Sequence, residues 1–370
     1  METEEGFIPL IGMSGCGMVC AMADNVKTAV VGASGYSGEE LLRLLVQHPE
    51  ADLTGITSRQ HAGKGLAEVY PRFRGNVEAG KLSFVESSAE VVAKSGAEVV
   101  FLALPHGVAA EYAGVLLNEG LRVIDLSADF RLSDAAVYEE FYGAPHPAPE
   151  LLKEAVYGLP ERHGDSIKGA RLVASPGCYP TSILLPLLPL LDDRLLDHGS
   201  IVVSSMSGVS GAGRSAVEAF LFGECNESVR PYGVPKHRHL SEIEQELSAA
   251  AGESVVISFT PHLVPVTAGI CSNIVANFSA GVKAAVVGEA LEDAYGSSEF
   301  VRLLGEGGLP DTSDVLGTNY IDIGWAEDER TGRCVLMSAE DNLGKGASSQ
   351  AIQSFNLMCG FEEGVGLKNF

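Results

Sequence analysis

One thiol stands in a short run built to hold it still. In Ala174-Ser175-Pro176-Gly177-Cys178-Tyr179-Pro180-Thr181-Ser182, the cysteine follows an apolar strand-like segment, Arg171-Leu172-Val173, and is flanked by a glycine and two prolines. Proline fixes φ and glycine frees it, so the spelling describes one special backbone shape. The run after the cysteine, "YPTSILLPLLPLL", reads as a helix and sets Cys178 near its N-terminus, where a thiolate is favoured. Pro180 suits a first turn, whereas Pro186 and Pro189 predict an irregular or kinked helix. The alternatives are a buried structural thiol and a nucleophile, and the geometry of the run favours the nucleophile.

The partners such a nucleophile needs are also spelled out. "KHRHLSEIEQEL" (236–247) carries the single close pair among nine histidines, His237 and His239, just ahead of a helical pattern. Acid/base or substrate duty fits them; zinc would need further ligands that do not cluster nearby, so no metal is expected, and a solvated basic patch is the plain alternative. "LSADFR" ends a strand with Ser127, Asp129 and Arg131, and "GVSGAGR" (208–214) ends a glycine-rich turn with Arg214. Each arginine offers an anion seat beside flexible backbone, unless it pairs with a local carboxylate.

These residues require elements to position them. Val26–Val31 delivers into "GASGYSG", and the following "EELLRLLVQH" sets leucines 41, 42, 44 and 45 on a helical face. Glycines at 32, 35 and 38 let backbone approach a pyrophosphate, and the amides opening the helix face it. The candidate cofactor residues here are Gly32, Ser34, Gly35, Tyr36, Ser37 and Gly38. An NAD site wants an acid at the end of the second strand, but that strand ends in Thr57-Ser58-Arg59. Ser58 and Arg59 suit a 2′-phosphate, so NADP(H) is expected; a solvated Arg59 is the alternative. "EVVFLALPHG" (98–107), "LRVIDLSADF" (121–130) and "ARLVASPG" (170–177) repeat the form of a buried strand ending in small or polar residues, and the first adds Pro105 and Gly107 to the cofactor set.

That cadence predicts an α/β fold: a Rossmann-like, doubly wound N-terminal domain with ligands at the carboxyl ends of its strands. Beyond Cys178 the pattern alternates apolar and polar residues, with one clear helix at 283–295, and predicts an α+β domain with a largely antiparallel sheet. "KGASSQAIQSFNLMCGF" predicts a C-terminal helix that returns to the first domain. The expected boundaries are a disordered extension at 1–23, an NADP-binding domain of 24–177 with 342–370, and a catalytic, substrate and dimerisation domain at 178–341.

Composition bounds the function. The formal charge of −24 excludes nucleic acid and anionic membranes as partners, because both need a basic footprint, and no apolar stretch is long enough to span a bilayer. An anionic ligand must therefore find a locally basic pocket. The seven cysteines are scattered without a C-x-x-C pair, the usage of a reducing compartment: cytoplasm, or plastid or mitochondrion in a eukaryote. Residues 1–23 are apolar but open with Glu2, Glu4 and Glu5, unlike a secretory signal.

Taken in order, "GASGYSGEELLRLL", "LPHG", "DLSADFR", "SPGCYPT", "SGVSGAGR", "HRH", "EIEQEL", "TPHLVPV" and "KGASSQA" resemble the N-acetyl-γ-glutamyl-phosphate reductase family, the arginine-pathway branch of the aspartate-semialdehyde dehydrogenase superfamily. The resemblance runs from Val26 to the C-terminus. It implies NADPH-dependent reduction of a small acyl phosphate through a thioester on Cys178, with His239 shuttling protons, His237 orienting substrate, Arg131 beside the phosphate leaving group, Asn342 in the cofactor site, and a homo-oligomer, dimer or tetramer. It also implies that aspartate-semialdehyde dehydrogenases carry their acid/base histidine directly after a V-P-x-x-x-G phrase. The matching phrase here, Val264 to Gly269, is followed by Ile270, so the imidazole must come from 237–239. Where the family has Thr-Pro before the helix glutamate, this chain has Leu240-Ser241, which leaves Ser241 as the expected capping hydroxyl. The competing assignments are a relative acting on aspartyl phosphate or carrier-bound aminoadipyl phosphate, and a non-enzymatic NADP sensor.

Overall fold

The computed structural model describes residues 25–368, so the expected extension at 1–23 lies outside the described residues. Seven short strands form the first sheet: β1 (Val26–Val31), β2 (Ala51–Thr57), β3 (Phe84–Val85), β4 (Val99–Leu102), β5 (Arg122–Asp125), β6 (Val156–Tyr157) and β7 (Leu172–Ala174). All pair in parallel, in the order β3-β2-β1-β4-β5-β7-β6. Chain direction across the sheet reverses between β1 and β4, which opens a crevice at the carboxyl ends of those strands. Ala29 to Val31 and all of β4 are sealed from solvent, as continuous apolar strands covered on both faces must be. Helix α1 (Tyr36–Leu45) leaves β1 and buries Leu41, Leu42, Leu44 and Leu45 against the sheet; α2 (Ala109–Asn118) leaves β4.

The second sheet holds β8 (Val202–Ser207), β9 (Arg230–Pro231), β10 (Ser258–Leu263), β11 (Ile270–Asn277), β12 (Val301–Glu306), β13 (Ile321–Asp328) and β14 (Arg333–Glu340), in the order β12-β13-β14-β11-β8-β10-β9. It is mixed: β8 with β10 and β12 with β13 run parallel, and the other four pairings are antiparallel. Three helices pack with it: α3 (Cys178–Asp192), α4 (His239–Ala251) and α5 (Ala285–Tyr295).

Helix α3 carries the thiol at its first residue. Every residue from Tyr179 to Leu191 is buried, so the helix is apolar all round. The two internal prolines do not break it. Pro186 cannot donate to the Ser182 carbonyl, and the Ser338 hydroxyl donates to that carbonyl instead, at 2.6 Å. Helix α6 (Ser349–Cys359) returns to the first sheet, where Ile352 and Phe355 join the core that holds the α1 leucines.

Candidate active site

Two hollows converge on Cys178. One runs over the glycine loop and is lined by Gly32, Ser34, Gly35, Tyr36, Ser37, Gly38, Ser58, Arg59, Pro105, Arg131, Arg214, His239 and Asn342. The other opens toward Pro105, His106, Tyr142, Arg230, His237, Arg238 and His239. Cys178 lines both.

The loop glycines divide their duties. Gly32 has φ +79, and a Cβ there would lie 2.3 Å from the Ala103 carbonyl oxygen; a Cβ on Gly38 would lie 2.5 Å from the Gly32 carbonyl oxygen. Both are required for close packing of strand, turn and helix. Gly35 meets only the Gly32 oxygen at 3.7 Å, so its surface is open. It is the N-cap of α1 and has no side-chain cap, which leaves the first-turn amides free for an anion. This cradle fits a dinucleotide pyrophosphate.

At the end of β2, the Ser58 hydroxyl is buried and bonds the Ser34 hydroxyl at 3.0 Å while accepting from the Gln60 and His61 amides. Arg59 beside it is exposed and has no carboxylate within ion-pair reach among the described residues. Asn342, which lines the glycine-loop hollow, accepts from the Gly269 amide at 2.7 Å and donates to Ser210. Gly107 is not brought to either hollow. With φ +81 it forms the turn after β4, and its amide donates to Asp129 at 2.6 Å. The same Asp129 takes the Ala110 amide and so caps α2.

Around the thiol, a Cβ on Gly177 would lie 2.7 Å from His239 Nε2 and 2.9 Å from Arg131 Nη1. The residue preceding the cysteine is thus the meeting point of the imidazole and the guanidinium. Burial and, second, the Glu340 carboxyl push the Cys178 thiol up to about 12, against the weaker pull of the Tyr179 amide and Arg131. Desolvation here opposes, and outweighs, the stabilisation of a thiolate expected from the helix start. Burial first, and then His237, Arg131 and Arg238 close by, hold His239 well below the usual imidazole range, so it is neutral. His237 is also lowered, to about 4, by burial and then Arg238. Its Nδ1 accepts the His239 amide at 3.2 Å, and its ring packs edge-on against Tyr179, Tyr232 and Phe259. His239 faces both hollows and His237 only the second.

Arg131 is buried and anchored. It donates to the Ser175 and Leu126 carbonyls and pairs with Glu242. Glu242 also accepts from Tyr157 at 2.6 Å and from the Gly177 amide at 2.9 Å. One buried carboxylate therefore ties together the cysteine turn, Arg131, and the helix that begins at His239. The sequence pattern gave Glu242 no role beyond a first-turn acid; its spacing of three from His239 puts both on one helix face, which is the signal available. The Ser241 hydroxyl donates back to the Arg238 carbonyl and caps no amide. Arg214 pairs with Glu39 and Tyr70 and lies 4.6 Å over the Tyr36 ring, at the mouth of the glycine-loop hollow. Both candidate anion-seat arginines thus have a carboxylate partner. Among the described residues no cluster of histidine, cysteine, aspartate and glutamate forms a metal site, and no helix is long and apolar enough to cross a membrane.

Comparison with known proteins bears on this geometry. Residues 27–170 match the semialdehyde dehydrogenase NAD binding domain and residues 178–342 the semialdehyde dehydrogenase dimerisation domain. An N-acetyl-γ-glutamyl-phosphate reductase of Akkermansia muciniphila is 61% identical over 92% of this chain and 98% of its own, and one of Syntrophobacter fumaroxidans 50% identical over 93% and 98%. Among solved structures, the aspartate semialdehyde dehydrogenase II of Vibrio cholerae complexed with ASA shares the fold at TM-score 0.68 and 18% identity, covering 91% of this chain and 98% of that one. The Candida albicans aspartate semialdehyde dehydrogenase with NADP does so at 0.65 and 16%, covering 90% and 98%.

Proposed function

Because this chain belongs to the N-acetyl-γ-glutamyl-phosphate reductase family of semialdehyde dehydrogenases, we propose that its two hollows are the cofactor and substrate arms of that reaction, joined at Cys178. The enzyme reduces N-acetyl-γ-glutamyl phosphate to N-acetylglutamate 5-semialdehyde and releases phosphate, a step of arginine biosynthesis. The observation that carries the mechanism is the convergence of His239 and Arg131 on the peptide before Cys178.

His239, neutral and partly buried, takes the thiol proton, and the Cys178 sulfur then attacks the acyl carbonyl. The carbon–oxygen bond to phosphate breaks, phosphate leaves with its electron pair beside Arg131, and a thioester remains on Cys178. A nicotinamide cofactor, when bound, supplies the hydride that brings the thioester carbon to the aldehyde level. The sulfur departs as thiolate when the aldehyde forms, and His239 returns its proton. His237, held in its aromatic surround, orients substrate and fixes the start of α4 through the His239 amide. Glu242 acts through others, as a positioning residue.

We assign the cofactor as NADP(H). Ser58 and Arg59 stand where an NAD enzyme offers an acid, and Arg59 has no competing carboxylate among the described residues. Ser34, Gly35, Tyr36, Ser37 and Pro105 complete its seat, with Arg214 stacked on Tyr36 as the cover of that arm rather than a phosphate ligand. The dimerisation-domain match supports a homo-oligomer, and five free cysteines among the described residues fit a reducing compartment such as the cytoplasm.

The substrate test runs the reaction in the phosphate-dependent oxidative direction. Ile270 occupies the position after Val264-Pro265-Val266-Thr267-Ala268-Gly269, is fully buried, and cannot move a proton. N-acetylglutamate semialdehyde should therefore be preferred over aspartate semialdehyde in kcat/KM, with activity dependent on His239. A preference for the aspartate compound refutes the assignment.

A further inference from the structure

The substrate of this reaction carries, besides its phosphate, a carboxylate on the carbon bearing the acetamido group. In a chain of net charge −24 that anion needs a cation of its own. Five arginines line the two arms: Arg59, Arg131, Arg214, Arg230 and Arg238. Arg131 is assigned to the phosphate leaving group, Arg214 is paired with Glu39, and Arg59 lies in the cofactor arm alone. Arg230 and Arg238 remain in the substrate arm, neither with a carboxylate within ion-pair reach among the described residues, and Arg230 donates one nitrogen to the Ala219 carbonyl.

Arg238 is differently placed. It is the residue between the two histidines and the N-cap of α4, so its backbone is set by the helix that carries His239. Across the arm its Nη1 lies 3.1 Å from His106 Nδ1, and its guanidinium carbon lies 5.8 Å from the centre of the Tyr142 ring. Both partners are neutral rings: burial and Arg238 itself lower the His106 imidazole, and burial raises the Tyr142 phenol to about 12. No carboxylate lies within ion-pair reach of Arg238 among the described residues. Its charge is uncompensated, pre-oriented by two rings, and open to the hollow one residue from the acid/base.

We propose that Arg238 selects the substrate by binding its α-carboxylate, a specificity role that rests on the functional assignment above. His106 and Tyr142 hold the guanidinium for it. An ion-paired hydrogen bond of this kind corresponds to a factor of about 10 to 100 in kcat/KM.

The test compares N-acetylglutamate 5-semialdehyde with 4-acetamidobutanal, the same aldehyde without the carboxylate, in phosphate-dependent NADP reduction. Arg238→Met should lower the kcat/KM ratio of the first to the second by about 10- to 100-fold, mainly through KM. Arg238→Lys, which keeps the charge but not the fork, should recover part of it. Equal losses on both aldehydes overturn the inference and leave the function intact. A carboxylate-selective loss in Arg230→Met with none in Arg238→Met also overturns it. A wild-type enzyme inert toward N-acetylglutamate semialdehyde overturns the functional assignment, and this inference with it.

Discussion

Gly177→Ala probes the centre of the site with a single methyl group. Gly177 has φ −71 and ψ 158, a conformation open to alanine, so the backbone carries no penalty. The effect must come from the space the methyl enters. There it meets His239 Nε2 at 2.7 Å, His239 Cε1 at 2.8 Å and Arg131 Nη1 at 2.9 Å, where ordinary contact starts at 3.4 Å. The imidazole must retreat by about 0.7 Å, and the guanidinium, tied to Ser175, Leu126 and Glu242, has little room to share the move. Misplacement on the order of 1 Å costs about 100-fold in rate, so kcat should fall about 30- to 100-fold, roughly 2–2.7 kcal/mol of barrier. Overpacking should lower stability by about 1–3 kcal/mol, small enough to leave a folded protein. Steady-state kinetics beside a thermal melt separate the two effects. Wild-type kcat in a folded Gly177→Ala variant would refute the account of His239 and Arg131 converging on this peptide.

Other consequences can be checked with simple variants. Cys178→Ser should melt near the wild type and lose more than about 90% of kcat, at least about 1.4 kcal/mol of barrier, because a hydroxyl does not replace the sulfur; a tenth or more of the activity retained contradicts this. Arg59→Asp should raise KM for NADPH by about 10- to 100-fold and leave NADH use far less affected; equal effects on both argue against a 2′-phosphate seat. The lowered His237 and His239 imidazoles bind protons more weakly folded than unfolded, so their contribution to stability is complete above about pH 6.5 and is lost as pH falls toward 4. Denaturant melts should show that decline, and His237→Gln should flatten it; an unchanged slope refutes the assignment. Glu242→Gln should lower stability by about 3–5 kcal/mol, since it leaves Arg131 as a buried unpaired cation. A melt unchanged from the wild type excludes Glu242 as the tie.

What the sequence made legible is what local chemistry determines. Gly32, Gly35 and Gly38 announce a close backbone turn between strand and helix, and the structure adds only which of them packs and which stays open. Cys178 at a helix start follows from Gly177 and Pro180. The continuity of that helix did not follow, because its repair comes from Ser338, on a strand distant in sequence. The Glu242 tie was invisible for the same reason: its partners Arg131, Tyr157 and Gly177 come from three other segments. For Cys178 the helix start is written in the sequence and the desolvation that opposes it is not. Gly107 shows the reverse case. A glycine at a strand end suggests ligand approach, yet its amide is consumed by Asp129 in capping the next helix.

The covalent role of Cys178 is tested most directly by mixing the enzyme with N-acetyl-γ-glutamyl phosphate in the absence of nicotinamide cofactor. Intact-protein and peptide mass spectrometry should then find one N-acetylglutamyl group on Cys178, formed with a burst of phosphate of about one per active site. No adduct, or an adduct on a residue other than Cys178, would contradict it.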